Sequence, residues 1–290
     1  MEERRILAIA ILFLFCAFVL MPAHTFAFLP KSGQSALEAI QFQDSRLGVH
    51  SEGTLAEDIY SIAGTTAYPN GTQVFQGWNK FVGENGSNWT LWIDKRSGIP
   101  SFCEGSGLPW VPGAGNSLVN NDISIYLNSQ DGIDISTLEK IARNFIYQNS
   151  NLFPFDCDNL TLNPISSNSY DEYLWIASFD YVYRGIPVEN ARAYFRINSG
   201  NLVQFGTENI SPIKIDPTPY YGATDAQQIL GSYIGGFLPD DELLETGRLS
   251  IIPISPCADI GQYVGVVGSG VDYRLIYTLV FKRQNVLGTW

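Results

Sequence analysis

At 290 residues, 45% of them apolar, the chain is long enough for about two domains with real cores. Its formal charge of −12 removes the positive field that nucleic acid or an anionic membrane surface requires of a partner. The same charge serves solubility, or complementarity to a basic partner surface.

Residues 1–27 read as an export signal peptide. Glu2-Glu3-Arg4-Arg5 is its charged start, Ile6–Met21 its apolar run, and Thr25-Phe26-Ala27 its small-residue end, with cleavage expected after Ala27. A run of about 16 residues is short for a bilayer span. A retained anchor is the alternative. The remaining chain is expected to be secreted, meeting a membrane only during export.

Residues 28–116 read as a β-rich region with a connector. Phe28–Gln34 is expected as a mobile start and Ser35–Phe42 as a short helix. Tyr68-Pro69-Asn70-Gly71 is a turn signal, and Gln73–Phe81 reads as the start of a β region. Trp89–Ile93 is a strand, Asp94–Gly98 a turn and Ile99–Cys103 the return. Glu104–Asn116, rich in Gly and Pro, has neither the Gly-Lys-Ser/Thr end of a phosphate loop nor the strand-to-helix setting of a dinucleotide turn. It is expected as an ordered loop with Trp110 packed down.

In residues 117–211, Ser136-Thr137-Leu138-Glu139 has the form of a capping box. Leu138, Ile141, Ala142, Phe145 and Ile146 then repeat as one apolar helical stripe. A strand follows at Leu160–Ile165. Tyr173–Tyr183, rich in aromatic and β-branched residues, reads as a long strand. Gly185-Ile186-Pro187 makes a tight corner, where glycine gives backbone freedom and proline fixes φ. Ala191–Gly206 is a strand pair about the turn Asn198-Ser199-Gly200.

Residues 212–290 repeat the pattern after a linker, Pro212–Pro219. Thr224-Asp225-Ala226-Gln227 reads as a second capping box. Ala226, Ile229, Leu230, Tyr233 and Ile234 form the stripe, and Gly235-Gly236 stops the helix. Strands follow at Leu249–Ile254 and Val271–Lys282. The expected fold is α+β, two units each with an amphipathic helix packed on an antiparallel sheet. The second unit lacks a counterpart of the Ala191–Gly206 strand pair, so it is expected to be truncated, with Trp290 short of the natural end.

Tyr183-Arg184-Gly185-Ile186-Pro187-Val188, followed by a strand pair with an Asn-Ser-Gly turn, resembles the fungalysin/thermolysin propeptide motif. Glu189-Asn190-Ala191 stands where that family usually has Phe-Gly-Ala. The second unit resembles the PepSY domain that often follows this motif in secreted thermolysin-like proteases. The resemblance spans roughly Ser136–Trp290 and implies a cystatin-like or PepSY-like sheet. Tyr183, Gly185, Ile186, Pro187 and Val188 would be scaffold residues. It further implies a pro-region that acts in cis as chaperone and inhibitor of a zinc metalloprotease catalytic domain. The alternative is a stand-alone secreted or surface binding protein built from the same modules.

The residues point to no reaction of their own. After the signal only His50 remains, so a His-Glu-x-x-His zinc helix cannot form, and no Gly-x-Ser-x-Gly elbow is present. Asp156 with Asp158 are too few carboxylates for a calcium site, and Asp240-Asp241-Glu242 read as the acidic first turn of a helix or a solvated face. No catalytic residue, metal or cofactor is expected. Cys103, Cys157 and Cys257 leave an odd thiol in an oxidising compartment. Cys103 and Cys157 flank the first capped helix and are the candidate disulfide. Asn70, Asn85, Asn88, Asn159 and Asn209 head glycosylation sequons, which matter only in a host that glycosylates.

Overall fold

The computed structural model describes residues 59–63 (as backbone), 73–128, 132–171, 173–254 and 265–283. Residues 1–27, read as an expected signal, Phe28–Gln34, Ser35–Phe42, His50, the turn at Tyr68–Gly71 with its sequon Asn70, Cys257 and Gly288-Thr289-Trp290 lie outside these residues. Within them the chain is α+β: ten strands in one sheet, with three α-helices.

Strand β1 (Ile59–Ala63) leads to helix α1 (Gln73–Asn85), then β2 (Trp89–Asp94) and β3 (Pro100–Pro109). The expected β region at Gln73–Phe81 is therefore a helix. Val74, Phe75, Trp78 and Phe81 recur at helical spacing and all four are buried. Their aromatic and β-branched character resembles a strand, but their period is that of a helix.

Helix α2 (Ile135–Gln148) carries the expected stripe, and Leu138, Ile141, Ala142, Phe145 and Ile146 are all buried. Its cap lies two residues before the expected Ser136. The Asp134 carboxylate accepts from the Thr137 amide and hydroxyl, each at 2.7 Å. A carboxylate there also meets the positive end of the helix dipole, and the two Thr137 bonds hold its pKa below the usual range. Glu139, the other half of the expected box, instead holds Arg143 one turn on, at 2.8 Å. Arg143 donates to the Cys157 and Leu160 carbonyls at 3.0 and 2.7 Å, tying α2 to the strand that follows.

That strand, β4 (Leu160–Leu162), and β5 (Asn168–Tyr170) both lie along one side of β6 (Leu174–Tyr183). β7 (Ile186–Asn198) and β8 (Asn201–Glu208) complete the meander. Two tight turns set its register. Tyr183 pairs with Ile186 across Arg184-Gly185, and Asn198 pairs with Asn201 across Ser199-Gly200. All four turn residues have positive φ, from 50° to 88°, as a two-residue turn between right-twisted strands requires.

β8 pairs on its far side with β3, giving the order β1-β2-β3-β8-β7-β6-β4. A boundary between residues 116 and 117 would cut this continuous sheet. The alternating pattern of β7 sends Ala193, Phe195 and Ile197 to one face and Arg192, Arg196 and Asn198 to the other. Both α1 and α2 pack on the first face. Phe205 of β8 lies between them, its ring 5.7 Å from Phe81 of α1 and 5.3 Å from Phe145 of α2.

The connector after β3 folds over the Ser199-Gly200 turn. Trp110 and Val111 donate to the Gly200 carbonyl at 3.0 and 3.1 Å, and Gly115 donates to that of Ser199 at 2.8 Å. Trp110 is buried against Phe145 and Phe195, as its place in a Gly/Pro-rich loop predicts. The strand β3 itself runs on through the expected start of that loop, to Pro109.

Helix α3 (Ala223–Tyr233), β9 (Glu242–Ile254) and β10 (Asp272–Lys282) form the last unit. The cap is Gly222, whose amide the Asp225 carboxylate accepts at 2.9 Å, two positions before the expected Thr224. The stripe of α3 is only partly covered. Ile234 packs with Phe281, Leu230 and Tyr233 are partly buried, and Ile229 is exposed. β9 joins the sheet where Val188 of β7 pairs with Ile251, parallel, beyond the end of β8.

Candidate functional site

The residues that carry the sequence resemblance, Tyr183 and Gly185 to Val188, occupy a hairpin tip and the strand that seats the last unit. Gly185 has φ of +82° and a solvent-exposed position, and Pro187 is exposed beside it. Tyr183 and Ile186 pack against the main core. Val188 is buried and pairs with Ile251. Between Asp180 and Val182 the register with β7 shifts, so that Arg192 and then Pro187 are the partners. The extra β7 residues include Glu189-Asn190-Ala191, with Asn190 at φ +54°. This bulge turns the start of β7 away from β8 and toward β9. Glu189 then meets Arg248 of β9 at 2.5 Å, an ion pair between the two strands.

A second junction lies at the β2–β3 turn. Asp94 and Arg96 form a buried ion pair at 3.2 Å. Backbone amides of Gly268 and Gly270 donate to the Lys95 and Arg96 carbonyls. Tyr273 of β10 reaches the Asn209 and Ser211 carbonyls, each at 3.1 Å, and burial raises its phenol pKa. Asn209, head of one sequon, has its own amide donating to the Asn190 carbonyl at 2.9 Å. These contacts tie the last unit to the main sheet; none of them presents a reacting group to solvent.

The carboxylate pairs have structural partners. Asp156 accepts the Asp158 amide at 3.0 Å and caps a short 3-10 turn. Asp241 takes Arg283 at 2.7 and 3.0 Å and caps the Leu238 amide. It precedes a strand rather than opening a helix. Among the described residues no group of three or more His, Cys, Asp or Glu side chains could hold a metal ion.

Cys103 and Cys157 are free thiols, a correction to the expected bridge. Cys103 is in β3, while Cys157 immediately precedes β4, four strands away across β8, β7 and β6. Four strand spacings amount to roughly 19 Å, against the roughly 4.4–6.8 Å between Cα atoms that a disulfide spans. Chain order places both beside α2; the sheet order separates them. Burial pushes both thiol pKa values up, Cys103 the further, and the Arg143 charge partly offsets the rise at Cys157.

The surface that sequence reasoning missed is the sheet face opposite α1 and α2. Register sets Thr90, Glu104, Gln204 and Arg196 in one row across β2, β3, β8 and β7. They line a cleft of about 460 Å³ with Asn88, Gly105, Asn198 and Val203. Beside it Trp92 and Phe102 meet edge to face at 4.9 Å. Next along, the Tyr194 hydroxyl donates to the Ser101 carbonyl at 2.9 Å, across the space left by Gly206. A larger cleft, about 650 Å³, lies between α1 and α2 over Trp110 and Phe145. The outward row follows from alternation within each strand, but only strand order shows which residues become neighbours.

No family model matches the chain, and no curated protein matches it. One solved structure, the Bacillus megaterium YpeB C-terminal domain, aligns over 87% of this chain and 88% of its own, at 11% identity and a TM-score of 0.29. An overlap that loose carries no argument. The resemblance to the propeptide motif and the PepSY domain rests on the sequence alone.

Proposed function

We propose that this chain is the pro-region of a secreted thermolysin-like zinc metalloprotease, serving a catalytic domain in cis as folding template and inhibitor. The observation that supports it is the architecture of the sheet. Both α1 and α2 occupy one face, and among the described residues no helix covers the other over β2, β3, β8 and β7. A template needs a rigid, preorganised surface rather than a nucleophile or a metal. Here rigidity comes from a continuous sheet backed by an aromatic core, and the open face offers one anion, one cation, an amide and an aromatic pair for docking. A catalytic domain seated on that face would be held closed to substrate until the pro-region is removed.

The second reading is a stand-alone secreted or surface binding protein. The polar cleft of Thr90, Glu104, Gln204 and Arg196 favours it, because it is sized for a small ligand. The reading frame after Trp290 separates the two. A His-Glu-x-x-His helix within the next few hundred residues supports the pro-region. A frame without one sinks that reading and leaves the binding protein.

A further inference from the structure

Sheet edges invite pairing with other chains, and proteins blunt them with short strands, charges, proline or bulges. Two edge strands here, β4 and β5, have three residues each, and β1 has five. β10 has 11, and among the described residues it pairs with β9 alone. Its pairing shows where the irregularity lies. Thr278 faces Arg248 and Leu279 faces Thr246, which leaves Gly247 extra; Val280 faces Glu245 and Phe281 faces Leu243, which leaves Leu244 extra. Both insertions are in β9. β10 runs without interruption, has no proline, and carries no charge between Arg274 and Lys282.

We propose that β10 pairs antiparallel with β10 of a second copy of this chain, with Tyr277 on the two-fold axis. In that register Asp272 faces the partner's Lys282, and by symmetry the same pair forms at the other end. Both side chains are exposed; Lys282 forms no ion pair among the described residues, and Asp272 accepts only the neighbouring Tyr273 amide. On the core-facing side Tyr273 meets the partner's Phe281, Leu275 the partner's Leu279, and Tyr277 its own counterpart. On the other side Ile276 meets the partner's Thr278, a β-branched pair suited to cross-strand packing.

Charge selects this register. Moving the axis to Thr278 sets Arg274 opposite the partner's Lys282, a direct like-charge contact. Moving it to Ile276 leaves Asp272 opposite the partner's Val280 and Lys282 opposite the partner's Gly270. An edge paired about a two-fold is self-complementary and closes as a dimer, so it also removes the long free edge. Antiparallel pairing of this length supplies about one backbone hydrogen bond per residue.

The test is sedimentation equilibrium of the secreted protein over a concentration series, with hydrogen exchange read at the β10 amides and circular dichroism confirming the fold of each variant. The expected result is a monomer–dimer equilibrium, with alternate β10 amides gaining protection as concentration rises. Lys282→Asp should weaken the dimer on the order of tenfold by setting two carboxylates opposite at both ends. The double variant Asp272→Lys with Lys282→Asp should restore it. A monomer throughout overturns the proposal, including a monomer whose β10 amides are already protected by a strand from residues 255–264 or 284–290. A dimer indifferent to Lys282→Asp, or one the double variant fails to restore, also overturns it.

Discussion

Two glycines in helix α1 should respond to alanine with opposite signs. Glycine in a helix interior costs about 0.8–1.0 kcal/mol relative to alanine, so substitution ordinarily stabilises. Gly83 is exposed with nothing within 4 Å of the added Cβ, and Gly83→Ala should gain about that amount. At Gly77 the Cβ would lie 2.5 Å from the Leu152 amide nitrogen and 2.7 Å from the Asn151 carbonyl carbon. That backbone is fixed, because the Leu152 and Phe153 amides both bond the Asn149 carbonyl at the end of α2. Ordinary contact requires α1 and this turn to part by about 1 Å, a gap that forfeits a quarter to a half of the dispersion energy across it. Trp78, Phe81 and Leu152 are fully buried there. An overpacking cost of about 1–3 kcal/mol against the propensity gain leaves Gly77→Ala destabilised by up to about 2 kcal/mol. The two variants should differ by the overpacking cost alone, about 1–3 kcal/mol, in urea unfolding followed by tryptophan fluorescence. Equal stabilisation by both would refute the close approach of α1 to the 149–153 turn.

At the β6–β7 hairpin, Gly185→Val should cost about 1–3 kcal/mol because valine is strained at φ +82°, whereas Arg184→Asn should stabilise, since asparagine suits the first position of this turn; thermal melts of the pair check both signs. Phe205→Ala, which removes the ring shared by α1 and α2, should cost about 3–5 kcal/mol in the same unfolding assay. Peptide mapping without reduction should find no Cys103–Cys157 bridge, and a thiol reagent should modify the partly exposed Cys157 before the buried Cys103. The Asp241 carboxyl is held below the usual carboxylate range chiefly by its hydrogen bonds from Arg283. Its folded pKa is depressed, so its contribution is present above the unfolded value near 3.9 and is lost as pH falls through the lower folded value. Asp241→Asn should therefore cost about 1–3 kcal/mol at pH 7 and nothing at a pH below the folded value, as read from unfolding curves at both.

Where a pattern is local and strong, the sequence was legible. The stripe of α2, the Asn198-Ser199-Gly200 turn, the freedom needed at Gly185 and the packed Trp110 all stand in the structure as their residues imply. Each is decided within a few neighbours, by period or by φ. The failures came where local signals compete. α1 reads as a strand by composition and as a helix by period, and burial of Val74, Phe75, Trp78 and Phe81 follows the period. Ser136 is a good cap, but Asp134 offers a charged acceptor two residues earlier. Non-local facts were out of reach. Pairing of β3 with β8 joins segments about a hundred residues apart, and it alone separates Cys103 from Cys157 and assembles the row of Thr90, Glu104, Gln204 and Arg196. All four look like ordinary solvent-facing side chains until the strand order is known.

The most direct test of a docking role for the open sheet face is refolding of a denatured thermolysin-like zinc peptidase domain, the partner proposed for this chain, with the separately folded chain added. The account predicts higher recovery of folded peptidase, stoichiometric inhibition of the product, and loss of both with the double charge reversal Glu104→Arg and Arg196→Glu, while the chain's own melting temperature changes little. Recovery and inhibition that are absent, or that persist undiminished in the charge-reversed chain, would contradict it.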